Sequence, residues 1–195
     1  MKITDDHWLD TAIRKPIPGG AAMLVRRFLV FHFTAGATGE SSIRYWKEKQ
    51  NGVCAHLVIE RDGTIKQCRP FNRTCGHAGL SKWNGYTGLN SNSIGIELAN
   101  AGDDDPALSW ARKQPGFFSI KARHKNGGPL SEWEGFPLAQ LISCEEASKV
   151  IKARYNLDDA IGHEDIAPSR KTDPGPAFPM LAMREALGFS GLPKP

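Results

Sequence analysis

The 195-residue chain reads as an α/β protein with a central mixed β-sheet flanked by helices, and three observations lead there. Phe28-Leu29-Val30-Phe31-His32-Phe33 and Ser93-Ile94-Gly95-Ile96-Glu97-Leu98 are apolar runs of strand length, too continuous to leave one face in water. Arg61-Asp62-Gly63 lies between two further apolar runs, where Asp-Gly signals a hairpin and therefore an antiparallel pair. Helical segments alternate with these strands, the pattern of helices packed on a sheet. Strand order is not legible at this level.

Each element has its own signal. Residues 1–27 carry Pro16, Pro18, Gly19 and Gly20, which break any regular element, so they read as an irregular leader packing on the domain of residues 28–195. The strand at 28–33 ends at Ala35-Gly36, and its one polar side chain is His32. Residues 40–50 read as a helix with Ile43 and Trp46 on one face and Lys47, Glu48 and Lys49 solvated. Strands at 54–60 and 64–68 flank the Asp-Gly turn. The strand at 93–98 closes at Asn100-Ala101-Gly102 and carries a single charge, Glu97.

Residues 101–135 combine Asp103-Asp104-Asp105, the turn-like Asn126-Gly127-Gly128 and the isolated aromatics Trp110, Phe117, Phe118 and Trp133. They read as a long insertion beside the site, and Gly127-Gly128 suggests mobility. Pro137, at a first helical position, opens a helix to about residue 155, with Leu138, Leu141, Ile142, Val150 and Ile151 on one face. A last helix is expected over 180–187.

Composition narrows the class. With 40% apolar and 24% charged residues the chain can bury one substantial core as a single globular domain. It has no run of 18 apolar residues, so no membrane span is expected. Ala21 to Val25 is too short for a signal peptide and runs into Arg26-Arg27, which points to a cytoplasmic setting. A net charge of +4 suits a weakly anionic polymer but is too small to argue for nucleic acid. Cys54 and Cys144 lie in apolar patterns of buried thiols; a Cys68 to Cys75 bridge is conceivable, but without an export signal reduced thiols are favoured.

The richest stretch is Gly162-His163-Glu164-Asp165-Ile166-Ala167-Pro168-Ser169-Arg170-Lys171-Thr172-Asp173-Pro174-Gly175-Pro176, whose prolines and glycine prevent an ordinary helix. With His32 it supplies two imidazoles and one carboxylate, the ligand set of a catalytic zinc site that keeps one position open. His163 and Asp173, ten residues apart in a rigid loop, can meet a metal from one side while His32 approaches from the sheet. Each polar residue in a buried strand must find a partner, because leaving it unsatisfied costs about 1–3 kcal/mol. His32 and Glu97 are two such residues. His7 and His124 belong to no pattern and read as solvated.

His32 within Phe-His-Phe-Thr-Ala-Gly, Ala55-His56-Leu57-Val58-Ile59-Glu60-Arg61-Asp62-Gly63-Thr64-Ile65, His77-Ala78-Gly79, Asn92 to Glu97 and the 162–176 segment occur in an order that resembles a known family. It is that of the zinc-dependent N-acetylmuramoyl-L-alanine amidases related to phage lysozyme amidases and peptidoglycan-recognition proteins. The likeness spans roughly residues 28–185 and is strongest to the AmpD and AmiD branch. The resemblance implies that fold, with His32, His163 and Asp173 ligating Zn²⁺, Glu97 and Lys171 as catalytic groups, and His77 bordering the substrate groove.

It also implies hydrolysis of the amide between N-acetylmuramic acid, or its anhydro form, and L-alanine of the stem peptide. Peptidoglycan or a soluble muropeptide is the expected partner. Zinc can lower the pKa of water from 15.7 to about 7 and polarise the carbonyl, a buried Glu97 suits a general base, and Lys171 would face the oxyanion. His56 is taken as a packing residue behind the ligands. Some phage relatives carry a catalytic tyrosine where this chain has Ala55, so that role passes to Glu97. A recycling enzyme and a phage lysis enzyme released to the wall both fit. The alternatives are a non-catalytic peptidoglycan-binding module and a zinc peptidase, the latter weakened by the absence of His-Glu-x-x-His.

Overall fold

The computed structural model describes residues 1–194. It begins with a two-residue strand, β1 (Ile13–Arg14), inside the segment expected to be irregular. β2 (Phe28–Phe33), α1 (Gly39–Lys49), β3 (Leu57–Ile59) and β4 (Ile65–Gln67) follow. A small hairpin, β5 (Lys82–Trp83) and β6 (Tyr86–Thr87), precedes β7 (Ser93–Leu98). The insertion contains α2 (Asp105–Ala111), β8 (Ser119–Arg123) and β9 (Leu130–Glu134). Then come α3 (Leu138–Tyr155), β10 (Asp159–Gly162), the single turn α4 (His163–Ile166) and α5 (Met180–Ala186).

Six strands form one mixed sheet in the order β1-β4-β3-β7-β2-β10. Only the β3–β4 pair, joined through the Asp-Gly turn, is antiparallel; the other neighbours are parallel. The mixed sheet expected from the apolar runs is therefore present. Side-chain alternation divides each central strand between two layers. Leu29 and Phe31 of β2 and Ile94, Ile96 and Leu98 of β7 enter the main core with Cys144, Ala147 and Ile151 of α3 and Met180 and Met183 of α5. Phe28 and Val30 point to the opposite layer, where they pack with Ala78, Trp83, Leu89, Ile161 and Ile166. His32 shares that second face, as do Ser93, Gly95 and Glu97 across the parallel register, which pairs Phe28 with Ser93, Val30 with Gly95 and His32 with Glu97.

α1 covers the same face through Ile43 and Trp46, which pack on Val58 and the buried Cys54, Cys68 and Cys75. It starts at Thr38, whose hydroxyl accepts from the Ser41 amide at 3.1 Å, and the Glu60 carboxylate accepts from the Gly39 and Glu40 amides at 2.9 Å each. All four cysteines are buried and unbridged.

Three expectations change. The leader is built into the sheet: β1 extends it beyond β4, and Leu9 and Met23 lie in the main core. Both residues of β1 are exposed, so it leaves no hydrophobic alternation to read. The insertion carries regular structure: α2 buries Ala107, Leu108 and Ala111, and β8 pairs with β9 over five residue pairs around the Asn126-Gly127-Gly128 turn. Finally, α3 is rotated relative to expectation, with Leu138 73% and Ile142 48% exposed while Gln140, Cys144, Ala147, Ser148 and Ile151 are buried. Gln140 sets that phase by donating through Nε2 to the carbonyls of Ile59 and Ala99, at 2.9 and 3.0 Å, where β3 and β7 end. Among the described residues no helix is long and apolar enough to cross a membrane.

Candidate functional site

β7, β2 and β10 are parallel neighbours, so their carboxyl ends lie together, the place where open α/β sheets bind ligands. His32 is the fifth residue of the six in β2, and Glu97 stands opposite it on β7. β10 ends at Gly162, beside Phe31, and His163 follows at once as the first residue of α4. The loop that returns Asp173 to this point is closed on itself. The Glu164 amide donates to the Asp173 carbonyl at 2.8 Å, the Lys171 amide to the Ala167 carbonyl at 3.0 Å, and Asp165 Oδ2 accepts from the Gly162 amide at 2.7 Å.

The result is a tight cluster of three buried side chains. His32 Nδ1 lies 2.9 Å from His163 Nδ1 and 2.8 Å from Asp173 Oδ2, and His163 Nδ1 lies 3.0 Å from the same oxygen. This is a His-His-Asp group that could bind a metal ion. The chemistry of the donors fits one. His163 Nε2 is 3.1 Å from the Ala78 carbonyl, which can only accept, so the ring proton resides on Nε2 and Nδ1 presents a lone pair. An imidazole lone pair, a second imidazole nitrogen and a carboxylate oxygen within 3.0 Å of one another call for a positive charge among them.

The electrostatics agree. Burial, reinforced by His163 and opposed by the Asp173 carboxylate, lowers the His32 imidazole to a pKa of about 4, so it is neutral at pH 7. Two imidazole nitrogens and a carboxylate oxygen form a donor set suited to a divalent ion.

Glu97 and Lys171 line the same cavity, of about 510 Å³, with His32, His163 and Asp173. Glu97 is half-buried as a residue, yet its Oε2 is shielded from solvent and has no hydrogen-bond partner among the described residues. Burial and the charge of Asp173 push its carboxyl well above the usual range, with Lys171 opposing. All five residues singled out as ligands or catalytic groups thus converge.

His77 lines the same cavity and lies directly behind His32. It is 8% exposed, its Nδ1 lies 3.0 Å from His32 Nε2, and its Nε2 lies 3.4 Å from the Ser93 carbonyl. Both ring nitrogens thus have partners within the protein. Burial and the neighbouring imidazoles lower its pKa well below the usual value, so it is neutral. His56, fully buried, accepts from the Gly95 amide at 3.1 Å and contacts the Arg73 carbonyl at 2.8 Å, in keeping with a packing residue behind the ligands.

His124 is buried rather than solvated. Its Nε2 is 2.6 Å from Glu164 Oε2, which also accepts from the Gly175 amide at 3.1 Å. Lys125 completes the cluster, 2.8 Å from Glu164 Oε1. His7 reaches the Tyr155 hydroxyl at 2.8 Å. Arg170, not singled out in the sequence, donates to the Ala78 and Leu80 carbonyls at 2.9 Å each and ties the cavity rim together. Nothing in the local pattern marks Arg170 or His124. Gly95, by contrast, is a signal, because glycine inside a strand marks close approach by another group.

A mixed sheet with helices on both faces and a buried His-His-Asp group at the carboxyl ends of parallel strands defines an α/β domain with a candidate metal centre. The chain belongs to the N-acetylmuramoyl-L-alanine amidase family whose sequence pattern, Amidase_2, matches residues 23–176. It is 34% identical over 162 residues to the N-acetylmuramoyl-L-alanine amidase AmiD of Escherichia coli K12, covering 78% of this chain and 50% of that protein. It is 37% identical over 133 residues to the 1,6-anhydro-N-acetylmuramyl-L-alanine amidase AmpD of the same organism, covering 68% of this chain and 57% of the relative. The chain therefore spans about half the length of the curated relatives it matches.

Among solved structures, E. coli AmiD in complex with anhydro-N-acetylmuramic acid-L-Ala-D-γ-Glu-L-Lys superposes with a TM-score of 0.67 at 29% identity, over 91% of this chain and 63% of that one. A selenomethionine derivative of AmpD gives 0.68 at 26% identity, over 94% and 98%. These likenesses place the chain in the AmpD and AmiD branch and agree with the fold read from the sequence.

Proposed function

We propose that this chain is a zinc-dependent amidase that hydrolyses the bond between the lactyl carbonyl of N-acetylmuramic acid, or its anhydro form, and the L-alanine nitrogen of a stem peptide. The observation that carries the proposal is the convergence of Nδ1, Nδ1 and Oδ2 beside an unpartnered Glu97 carboxylate oxygen in one open cavity. The AmiD relative solved with an anhydromuramyl peptide supports the substrate class.

His32, His163 and Asp173 would hold the ion, which when bound supplies polarisation of the scissile carbonyl and acidification of a water molecule. Glu97, as carboxylate, takes the proton from the water that attacks the amide carbon and delivers it to the departing L-alanine nitrogen. Its desolvated position raises its basicity toward that task. Lys171 presents an ammonium to the oxygen that gains negative charge as the tetrahedral carbon forms.

Mass spectrometry of the products formed from murein sacculi and from a soluble anhydromuramyl tripeptide, with zinc-loaded and chelator-treated protein in parallel, tests this. The expected result is zinc-dependent release of a peptide with a free L-alanine amino terminus. Zinc-bound protein that cleaves neither substrate would overturn the proposal in favour of a peptidoglycan-binding module.

A further inference from the structure

We infer that His77 is a positioning residue for the metal centre: it holds His32 in the tautomer that turns a lone pair on Nδ1 toward His163 and Asp173. The inference rests on the metal-centre reading proposed above. Ser93 Oγ donates to the Leu89 carbonyl at 2.6 Å, so the hydroxyl proton is committed there. The Ser93 carbonyl has no proton to give. His77 Nε2 lies 3.3 Å from that hydroxyl oxygen and 3.4 Å from that carbonyl oxygen, and both can only accept from it. The His77 proton therefore sits on Nε2.

A neutral imidazole has one ring proton, so His77 Nδ1 is an acceptor. It is 3.0 Å from His32 Nε2, which must then carry the His32 proton, leaving His32 Nδ1 bare. The polarity of the whole chain is set at its far end by a backbone carbonyl and a committed hydroxyl. His163 is served in the same way by the Ala78 carbonyl at 3.1 Å. Two successive residues, one through its side chain and the next through its backbone, thus present both imidazoles with Nδ1 forward.

The fold makes room for this arrangement at one position. A Cβ on residue 95 would stand 2.5 Å from His77 Cγ and 2.6 Å from its Nδ1. Gly95, in the middle of β7, is the notch that the His77 ring fills, and the ring stands edge-on to His32 with centroids 5.1 Å apart. Groups that orient a ligating histidine from behind, when mutated, cost about 10- to 100-fold in metal affinity or activity.

The experiment is a zinc titration in competition with a chromophoric chelator, on the parent, His77→Ala, His77→Asn and Gly95→Ala, with circular dichroism to verify folding. Side-chain ¹H–¹⁵N spectra of the metal-free proteins read the His32 tautomer. His77→Ala and Gly95→Ala are expected to bind zinc about 10- to 100-fold more weakly and to populate His32 with its proton on Nδ1. His77→Asn, whose Oδ1 keeps an acceptor near the Nδ1 position, is expected to restore most of the affinity and the Nε2 tautomer. A folded His77→Ala protein with parental zinc affinity and a raised KM would overturn the inference and return His77 to the substrate groove. Should His77→Ala fail to fold, His77→Asn decides: retained affinity supports the inference, and a tenfold or greater loss, ~1.4 kcal/mol, overturns it. A parent that binds no zinc would overturn the metal-centre reading and this inference together, whereas a zinc-binding parent with unaffected variants overturns only the inference.

Discussion

Glu97 reaches the cavity with one carboxylate oxygen that has no hydrogen-bond partner among the described residues, and Lys171 shares that cavity. As the proposed base and the proposed oxyanion partner, they separate in substitution. Glu97→Gln should lower kcat by about 10²- to 10⁴-fold and Lys171→Ala by about 10²- to 10³-fold, with zinc content unchanged in both. Steady-state kinetics beside metal analysis checks this; Lys171→Ala turning over at the parental rate would remove the lysine from the mechanism. His56 makes a prediction about stability. Burial lowers its pKa from 6.5 to about 4, so between those values the unfolded chain binds a proton that the folded chain refuses. Its contribution is therefore complete above about pH 6.5 and is lost as pH falls toward 4, amounting to about 3 kcal/mol. Urea unfolding of the metal-free protein should show lower stability at pH 5 than at pH 7, and equal stability would contradict it. The site residues were legible because each breaks a local rule: His32 and Glu97 are polar in buried strands, and His163 and Asp173 bracket a segment whose prolines and glycine allow no more than the single turn α4. His77 and His124 break no local rule, since a loop histidine has the same pattern whether its ring points to water or to a ligand.

At the scale of elements, the β8–β9 hairpin is bolted to the loop that carries two of the three candidate ligands. His124 and Lys125 at its turn hold Glu164, the residue after His163, and Trp133 of β9 packs over Gly175, where a Cβ would come within 2.8 Å of the indole. Gly175 has φ +76°, so glycine also meets the backbone requirement there. Glu164→Ala leaves a buried histidine and a lysine without their carboxylate and should cost about 3 kcal/mol, read by denaturant unfolding. Amide exchange in residues 119–134 should slow together with that of β10 in the parent and quicken in the variant; fast exchange in the parent would show that the hairpin works as a lid. Ser119-Ile120-Lys121-Ala122-Arg123 does alternate polar and apolar residues, but β8 is short and exposed along most of its length, so the alternation marks no buried face and the hairpin did not stand out. α3 shows the complementary difficulty. Its length was readable from Pro137 to Tyr155, but its rotation was not, because apolar residues occur all around it and the Gln140 contacts with β3 and β7 choose which of them are buried.

For the molecule as a whole, the site is a seam between parts far apart in sequence: β2, β7, the 77–80 loop and the 163–173 loop meet at one end of the sheet. An ion held there binds the folded chain and not the unfolded one. Zinc at 100 times its dissociation constant should stabilise by about 2.7 kcal/mol, a rise in Tm of roughly 5–10 °C for a chain of this size, reversed by a chelator. Differential scanning calorimetry reads this directly, and a Tm indifferent to zinc would contradict the centre. What the linear order of residues determined was local: the apolar strands, the Asp-Gly turn, the helix over 138–155 and the chemistry of the 162–176 loop, all set by backbone preferences and the period of the side chains. Which strands lie side by side, which face of α3 is buried, where the insertion docks and which histidine stands behind which were decided only in the folded molecule. Those choices depend on contacts between residues far apart in the chain, such as His32 with Asp173 and Gln140 with Ile59, where packing volume and the pairing of buried polar groups select among arrangements that local preference leaves equal.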